Sequence, residues 1–320
     1  MLRSLFIYLS KARWARNLVM HWSVAWKVAT RFISGEKPED AIRVTRVLNS
    51  KGINASLDHL GEDTDSPESA ARATQDILDI FTAIEAAGVR ANVSVKLSQI
   101  GFAISRELCL DNIRRIAACA VETDSFVRID MEDYSMVDAT LEIYDQLRLE
   151  FGPEHLGVVI QAYLYRSEKD IQQLLLNEGK IRLCKGAYDE PASVAYPVKR
   201  DTDANYDRLT SLLIDAELAA GKPRLSANGK IPPIPAIASH DEQRIQVAKD
   251  YAARVGLPKG ALEFQMLYGI RRELQERLAQ EGYPVRVYVP YGTEWYPYFM
   301  RRLAERPANI WFLIGNFFKK

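Results

Sequence analysis

Short apolar runs alternate with longer amphipathic stretches from Ile53 onward. The eight runs are INASLD, NVSVKL, FVRID, GVVIQAY, IRLCK, PAIASH, ALEFQM and VRVYV. Helical patterns fill the gaps and begin near Pro67, Arg106, Ser135, Ser167, Asp203, Asp241 and Arg271. Such alternation predicts parallel strands joined by right-handed crossover helices. Eight units predict a closed (β/α)8 barrel of the TIM type over residues 53–320, although a doubly wound open sheet would share most of these local signals.

The amino-terminal region, residues 1–52, is predicted to be a separate helical segment. No acidic residue precedes Glu36, whereas basic and tryptophan side chains are frequent: Arg3, Lys11, Arg13, Trp14, Arg16, Trp22, Trp26, Lys27 and Arg31. This composition is typical of a helix lying on an anionic bilayer, but an outer helix packed on the barrel can have it too. The apolar run Leu5–Leu9 is too short for a secretory signal, and no run reaches the ~18 residues of a membrane span.

Composition restricts the class of protein. Forty-two basic and 42 acidic side chains give zero formal charge, so we expect no nucleic-acid partner. The three cysteines lack C-x-x-C spacing, and an odd count favours a reducing compartment. We therefore expect a cytoplasmic protein, with peripheral contact to the inner membrane face left open. The four histidines are scattered and form no ligand motif, so we expect no metal.

Two adjacent arginines lie within a short helical pattern near the carboxyl end, YFMRRLAERPAN (298–309). Tyr298, Arg301, Arg302 and Glu305 follow i, i+3, i+4, i+7 spacing and share one helix face. Two guanidinium groups side by side match the geometry of a carboxylate ligand. An exposed helix with an ion pair between Arg301 and Glu305 would have the same pattern.

Polar residues stand at the predicted carboxyl ends of the strands, where barrel enzymes gather their active sites. They are Asp58 with Glu62, Lys96, Asp130, Gln161, Arg182 with Lys185, Ser239 with His240, Gln265, and Tyr288. The cations, counted with the helix arginines, exceed the carboxylates. The barrel mouth is therefore predicted to bind an anion, although a network of ion pairs around the rim without a ligand would use the same residues.

Seven segments in order resemble the proline dehydrogenase family. They are NVSVKLSQ (92–99), VRIDMED (127–133), VVIQAY (158–163), RLCKGAYDEP (182–191), ASH (238–240), LEFQMLYG (262–269) and YFMRRLAERPAN (298–309). The similarity extends from about Ile53 to Asn309. It implies a distorted (β/α)8 barrel that binds FAD non-covalently, with the last helix over the barrel mouth.

The resemblance also implies residue roles. Arg301 and Arg302 would hold the substrate carboxylate together with Lys96. Asp130 and Arg182 would be catalytic, Asp130 by orienting the cations and Arg182 by stabilising the reduced flavin. Residues that would pack on the substrate ring are Leu267, Tyr288 and Tyr298. Residues that would contact FAD are Met131, Gln161, Arg182, Lys185, Gly186, Ala187, Tyr188, Ser239 and His240. Glu62 resembles an acidic residue that pairs with Arg301 when the site closes.

The implied reaction is oxidation of L-proline to Δ1-pyrroline-5-carboxylate by hydride transfer to FAD, the first step of proline catabolism to glutamate. A membrane quinone would reoxidise the flavin, and a separate pyrroline-5-carboxylate dehydrogenase is expected to act on the product. Oxidation of 4-hydroxyproline is the nearest alternative, and Tyr288 argues against it because a phenol leaves little space for a ring hydroxyl. A Schiff-base aldolase using Lys96 or Lys185 is a second alternative, and a membrane-surface scaffold without flavin is a third.

Overall fold

Eight parallel strands close into a barrel. The structure is a computed structural model that describes residues 23–61, 64–221 and 225–305, with isolated positions Leu9, Ala12, Trp14, Ala15 and Val19 before them. The strands are β1 Asn54–His59, β2 Ala91–Val95, β3 Val127–Ile129, β4 Leu156–Gln161, β5 Lys180–Cys184, β6 Pro235–Ala238, β7 Glu263–Leu267 and β8 Val285–Tyr291. Each strand pairs with the next, and β1 pairs with β8. The predicted closed barrel is confirmed, and the open sheet is wrong.

Helices connect the strands along the outside of the barrel. Their bounds are α1 Ser23–Ala29, α2 Pro38–Ser50, α3 Pro67–Ala87, α4 Arg106–Glu122, α5 Val137–Phe151, α6 Ser167–Leu175, α7 Lys199–Ala220, α8 Glu242–Val255, α9 Arg272–Gln280 and α10 Trp295–Glu305. Side chains of Ser66, Ser105 and Asp241 cap α3, α4 and α8 by accepting bonds from free backbone N–H groups of the first turn. Six of the predicted helix starts agree within two residues, and α7 begins four residues before the predicted Asp203.

Residue alternation along the strands separates an apolar outer face from a polar interior. In β5, for example, Ile181 and Leu183 face the helices, whereas Lys180 and Arg182 face inward, and all four are buried. At the base of the barrel, the guanidinium group of Arg128 donates to the carbonyl oxygens of Val158 and Lys180. A glycine is needed beside it, because a Cβ atom on Gly157 would lie 2.4 Å from Arg128 Nη1.

The last helix lies at the carboxyl-terminal end of the barrel. The outer faces of β1 and β8 are already covered by α2, which packs against both strands. Helix α10 instead packs on α1 and on Leu60 and Ile270, which follow β1 and β7. The ring centre of Trp26 of α1 lies 5.2 Å from that of Trp295 of α10, with the two rings tilted by 58°. The predicted position of the last helix at the mouth, with amino-terminal helices beside it, is therefore confirmed.

Part of the basic amino-terminal segment thus has a structural contact. Trp26 is half-buried under α10, whereas Trp14 is 61% exposed. Four of the six basic residues that precede Glu36, together with Trp22, lie outside the described residues. Among the helices that the structure describes, none combines the length and apolarity needed to cross a bilayer.

Candidate active site

Five side chains meet at the carboxyl-terminal end of the barrel in one hydrogen-bonded network. Lys96 Nζ lies 3.1 Å from Asp58 Oδ1, 3.1 Å from the hydroxyl of Tyr288 and 3.5 Å from Asp130 Oδ2. The Tyr288 hydroxyl donates to Asp130 Oδ2 at 2.6 Å. Arg182 Nη1 donates to Asp130 Oδ1 at 2.8 Å. Asp130 thus links both cations and the phenol.

Strand register brings these residues together from distant parts of the sequence. Ser56 is paired with Tyr288 across β1 and β8, and Asp58 is paired with Ser94 across β1 and β2. Lys96 follows the end of β2, and Asp130 follows the end of β3. Because the strands are parallel, their carboxyl ends all reach the same rim.

Within the network, Asp58, Asp130 and Arg182 are buried, and Lys96 and Tyr288 are half-buried. Burial, reinforced by the neighbouring carboxylate of Asp130, raises the pKa of Tyr288 well above its usual value. The phenol therefore remains protonated and donates to Asp130. The Arg182 guanidinium also makes a cation–π contact with the Tyr288 ring, whose centre lies 5.4 Å away.

The barrel interior carries more positive than negative side chains. Among the described residues, the inward-facing cations of the strands and their ends are Lys96, Arg128, Lys180, Arg182 and Arg286, and the carboxylates are Asp58, Asp130 and Glu263. Buried charge of one sign must be compensated. At the mouth, Lys96 and Arg182 are balanced by Asp58 and Asp130, and the excess of two cations lies at the base of the barrel.

A second cluster lies beyond the ends of β5 and β6. Lys185 Nζ contacts Asp203 Oδ1 and Asp241 Oδ2 at 2.5 and 2.8 Å. Burial opposes ionisation of both aspartates, but the hydrogen bonds and charges of Lys185 and Lys199 together outweigh it and lower the pKa of each. These contacts hold the strand end that begins the KGAY segment against α7 and α8.

The KGAY segment needs a glycine at its second position. Gly186 has φ +113°, and a Cβ atom there would lie 2.3 Å from the Tyr163 ring, so only glycine fits. Ala187 and Tyr188, which follow it, are exposed. Gln161 at the end of β4 is buried, and its Nε2 donates to the Glu132 carbonyl oxygen at 3.1 Å. Its Oε1 is buried with no hydrogen-bond partner among the described residues.

The remaining predicted cofactor residues surround the same rim. Met131 is buried beside Asp130. Ser239 Oγ accepts from the backbone N–H of Asp241 at 3.0 Å. His240 Nε2 accepts from the backbone N–H of Leu267 at 2.9 Å, which assigns the proton of a neutral ring to Nδ1.

The predicted substrate residues of the last helix lie above the ends of β1 and β7. Tyr298 is buried and Arg301 and Arg302 are half-buried, with the Arg302 guanidinium 5.0 Å from the centre of the Tyr298 ring. Leu267 packs against the same apolar cluster. Glu62 and the side chain of Glu305 lie outside the described residues, so the gate stays a prediction.

Three groups at this site were given no role by the sequence analysis: Asp58, which accepts from Lys96, and Ser94 and Gln265, which contact Arg182. Arg182 Nη2 donates to Ser94 Oγ at 2.9 Å, and Arg182 Nε donates to Gln265 Oε1 at 2.6 Å. Alternation along β2 contained the signal for Ser94, because it lies two residues before Lys96 and must face the same side. Gln265 was recognised as a strand-end polar residue but was assigned no role.

The fold and site define a class: a parallel α/β-barrel enzyme whose mouth is built around buried cations and their carboxylate partners. Sequence comparison then gives the family. The family profile described as proline dehydrogenase matches residues 41–313. The chain is 45% identical over 297 residues to the proline dehydrogenase of Deinococcus radiodurans, covering 92% of this chain and 91% of that protein. The chain belongs to the proline dehydrogenase family.

Other relatives agree with this assignment. Proline dehydrogenase 1 of Bacillus subtilis is 41% identical over 320 residues and covers both chains fully. The crystal structure of proline utilization A (PutA) from Bdellovibrio bacteriovorus has a TM-score of 0.79 and 28% identity, covering 92% of this chain and 34% of that one. The chain is thus similar to these two proline dehydrogenases along most or all of its length and to about a third of the longer PutA chain. The family makes it an oxidoreductase that acts on proline.

Proposed function

We propose that this chain oxidises L-proline to Δ1-pyrroline-5-carboxylate with FAD as the bound cofactor. The observation that carries the proposal is the buried network of Arg182, Asp130, Tyr288 and Lys96 at the barrel mouth. It holds the cations Lys96 and Arg182 in fixed positions beside a protonated phenol, an environment suited to an amino-acid carboxylate and to a cofactor that becomes anionic.

The residues at the rim fit a flavin nucleotide. Gln161 offers a buried oxygen that needs a donor, as supplied by a flavin ring N–H. Gly186 lets the Tyr163 ring pack against the backbone of the rim, where a Cβ atom would clash. Lys185 would contact the cofactor from the rim, together with Met131, Ala187, Tyr188, Ser239 and His240. When bound, FAD supplies the acceptor for a hydride.

The protein's own residues bind and orient the substrate in this proposal. Arg301 and Arg302 would hold the proline carboxylate together with Lys96. Leu267, Tyr288 and Tyr298 would pack on the ring and aim its reactive carbon. Asp130 would keep Lys96 and Arg182 in position. Glu62 would pair with Arg301 on closure and restrict water.

Electron transfer to a membrane quinone and a separate pyrroline-5-carboxylate dehydrogenase complete the proposed pathway. The exposed Trp14 is compatible with peripheral membrane contact, whereas the packing of α1 on α10 supports a structural role for that part of the segment. A truncation starting at Lys37 distinguishes the two roles. A membrane contact predicts loss of vesicle binding and quinone reduction with dye reduction retained, and a structural role predicts parallel loss of both activities.

Cofactor binding tests the proposal first. Purified protein should carry a flavin absorption band, and acid extraction should release FAD. Gln161→Leu and Lys185→Met should each weaken FAD binding to the stripped protein, whereas Arg114→Met, which changes an exposed ion-pair partner on α4, should not.

The two alternative enzymatic activities have distinct signatures. An aldolase would be colourless and trapped by borohydride with its substrate, although Lys96 and Lys185 lie against carboxylates and not in the apolar surroundings that activate such lysines. A hydroxyproline oxidase would prefer the hydroxylated substrate.

A further inference from the structure

Arg182 is held from below by a buried chain of side chains that reaches the base of the barrel. Arg182 Nε donates to Gln265 Oε1 at 2.6 Å, and Gln265 Nε2 donates to Glu263 Oε1 at 2.6 Å. Glu263 is in turn paired with Arg286 through two contacts of 3.0 Å each. All four residues are buried, and Glu263 has no exposed surface.

The direction of these bonds is fixed by chemistry. A carboxylate only accepts hydrogen bonds, so Glu263 must face the amide nitrogen of Gln265. The amide oxygen of Gln265 then has to face Arg182 Nε. Arg286 in turn holds Glu263, because its guanidinium is anchored by the carbonyl oxygens of Ala55 and Gly229 at 2.9 and 2.8 Å. Each member therefore restricts the orientation of the next.

The identity of the middle residue matters as much as its position. A carboxylate at position 265 would hold Arg182 Nε equally well, but it would add a second negative charge beside a guanidinium that already pairs with Asp130. A neutral amide anchors Arg182 without cancelling its charge. The carboxylate that orients this amide is kept one side chain further away, where Arg286 balances it.

We propose that Gln265 and Glu263 are positioning residues that hold the Arg182 guanidinium in place while leaving its positive charge available to the cofactor. This inference rests on the proposed function, because it assumes that FAD lies within reach of Arg182. Charge near the flavin ring sets its redox potential. Gln265 therefore acts as a neutral spacer, and Glu263 sets the orientation of that spacer.

An exchange variant tests the spacer without changing total charge. In Glu263→Gln/Gln265→Glu, the amide at position 263 can donate to the carboxylate at position 265, which now contacts Arg182 directly, while Arg286 loses one of its two acceptors. We expect the flavin to become harder to reduce by about tenfold in the two-electron equilibrium, a fall of about 30 mV in midpoint potential. Anaerobic reduction by proline should slow by a similar factor, whereas KM for proline, assigned to other residues, should change less than threefold. Gln265→Glu alone should shift the potential in the same direction but by less, because the facing carboxylates at positions 263 and 265 must share a proton.

A matched control separates this role from structural support. Glu217 is a buried carboxylate on α7 that accepts from the backbone N–H of Ile234, outside the barrel interior. Glu217→Gln should lower stability but leave the midpoint potential unchanged. A wild-type potential in both the exchange variant and Gln265→Glu would overturn the inference, as would loss of FAD from both, because residues that only tune Arg182 should leave flavin content intact. Absence of flavin from the wild-type protein would instead contradict the proposed function itself.

Discussion

Asp130 is the residue on which the network of the barrel mouth depends most, so Asp130→Asn is the most informative substitution. The carboxylate accepts from Arg182 at 2.8 Å and from Tyr288 at 2.6 Å, and Lys96 lies 3.5 Å away. Asparagine keeps the shape but loses the charge, and one of its two terminal atoms becomes a donor.

The cost follows from this geometry. Arg182 loses its carboxylate partner, whereas Lys96 keeps Asp58 at 3.1 Å, and breaking a buried pair by removing one partner costs about 3–5 kcal/mol. We therefore expect urea unfolding of the variant to show a loss of this size. The matched control is Asp145→Asn, because Asp145 is 44% exposed and pairs with Arg148 at 3.4 Å on the surface of α5. That change should cost less than about 1 kcal/mol.

Activity should respond differently from stability. The mouth of the Asp130→Asn variant has one negative charge fewer, so a substrate carboxylate should bind at least as well and KM should not rise. Lys96, Arg182 and Tyr288 lose their common anchor, so kcat should fall by about tenfold or more, equivalent to ~1.4 kcal/mol in the barrier. Steady-state kinetics with a soluble dye measures both. A stability loss equal to that of the Asp145 control, with normal kcat, would refute the reasoning.

Four further substitutions test other parts of the site. Arg301→Met and Arg302→Met should each raise KM for proline by about tenfold to a hundredfold at normal flavin content, because charge-assisted bonds contribute ~1.5–3 kcal/mol; unchanged kinetics would mean that α10 only presents a solvated face. Tyr288→Ala should raise kcat/KM for 4-hydroxyproline relative to proline, and an unchanged ratio would remove Tyr288 as the cause of selectivity. Lys185 lowers the pKa of its two aspartate partners, so the stability they contribute is complete above their unfolded pKa of about 4 and is lost as pH falls below it. Lys185→Met should therefore lose less stability than the wild type between pH 6 and pH 3, and equal losses in thermal unfolding would contradict this.

Most of the barrel was predictable from sequence because its strands are short, apolar on one face and regularly spaced. The residues at which the strands end were less predictable. The run GVVIQAY predicted β4 to reach Tyr163, but the strand ends at Gln161, whose side chain turns to the Glu132 carbonyl oxygen. The run VRVYV ended β8 at Val289, yet the strand continues to Tyr291 because its last residues pair with β1.

The site was predictable as a set of strand-end residues but not as a network. Strand alternation and the family resemblance both pointed to Asp130, Arg182 and Tyr288. Neither indicated that Asp130 accepts from both others, because that contact depends on strand register across the barrel. The chain from Gln265 to Glu263 was hidden for the same reason, since a glutamine and a glutamate in a strand give no sequence signal of their partners.

Anaerobic addition of L-proline to the purified protein tests the central claim most directly. We expect the protein to carry bound FAD whose visible absorption band is bleached by proline, with Δ1-pyrroline-5-carboxylate formed in equal amount. In Arg182→Met at matched flavin content, we expect the bleaching to be much slower. A colourless protein, or a flavin band that proline leaves unchanged, would contradict it.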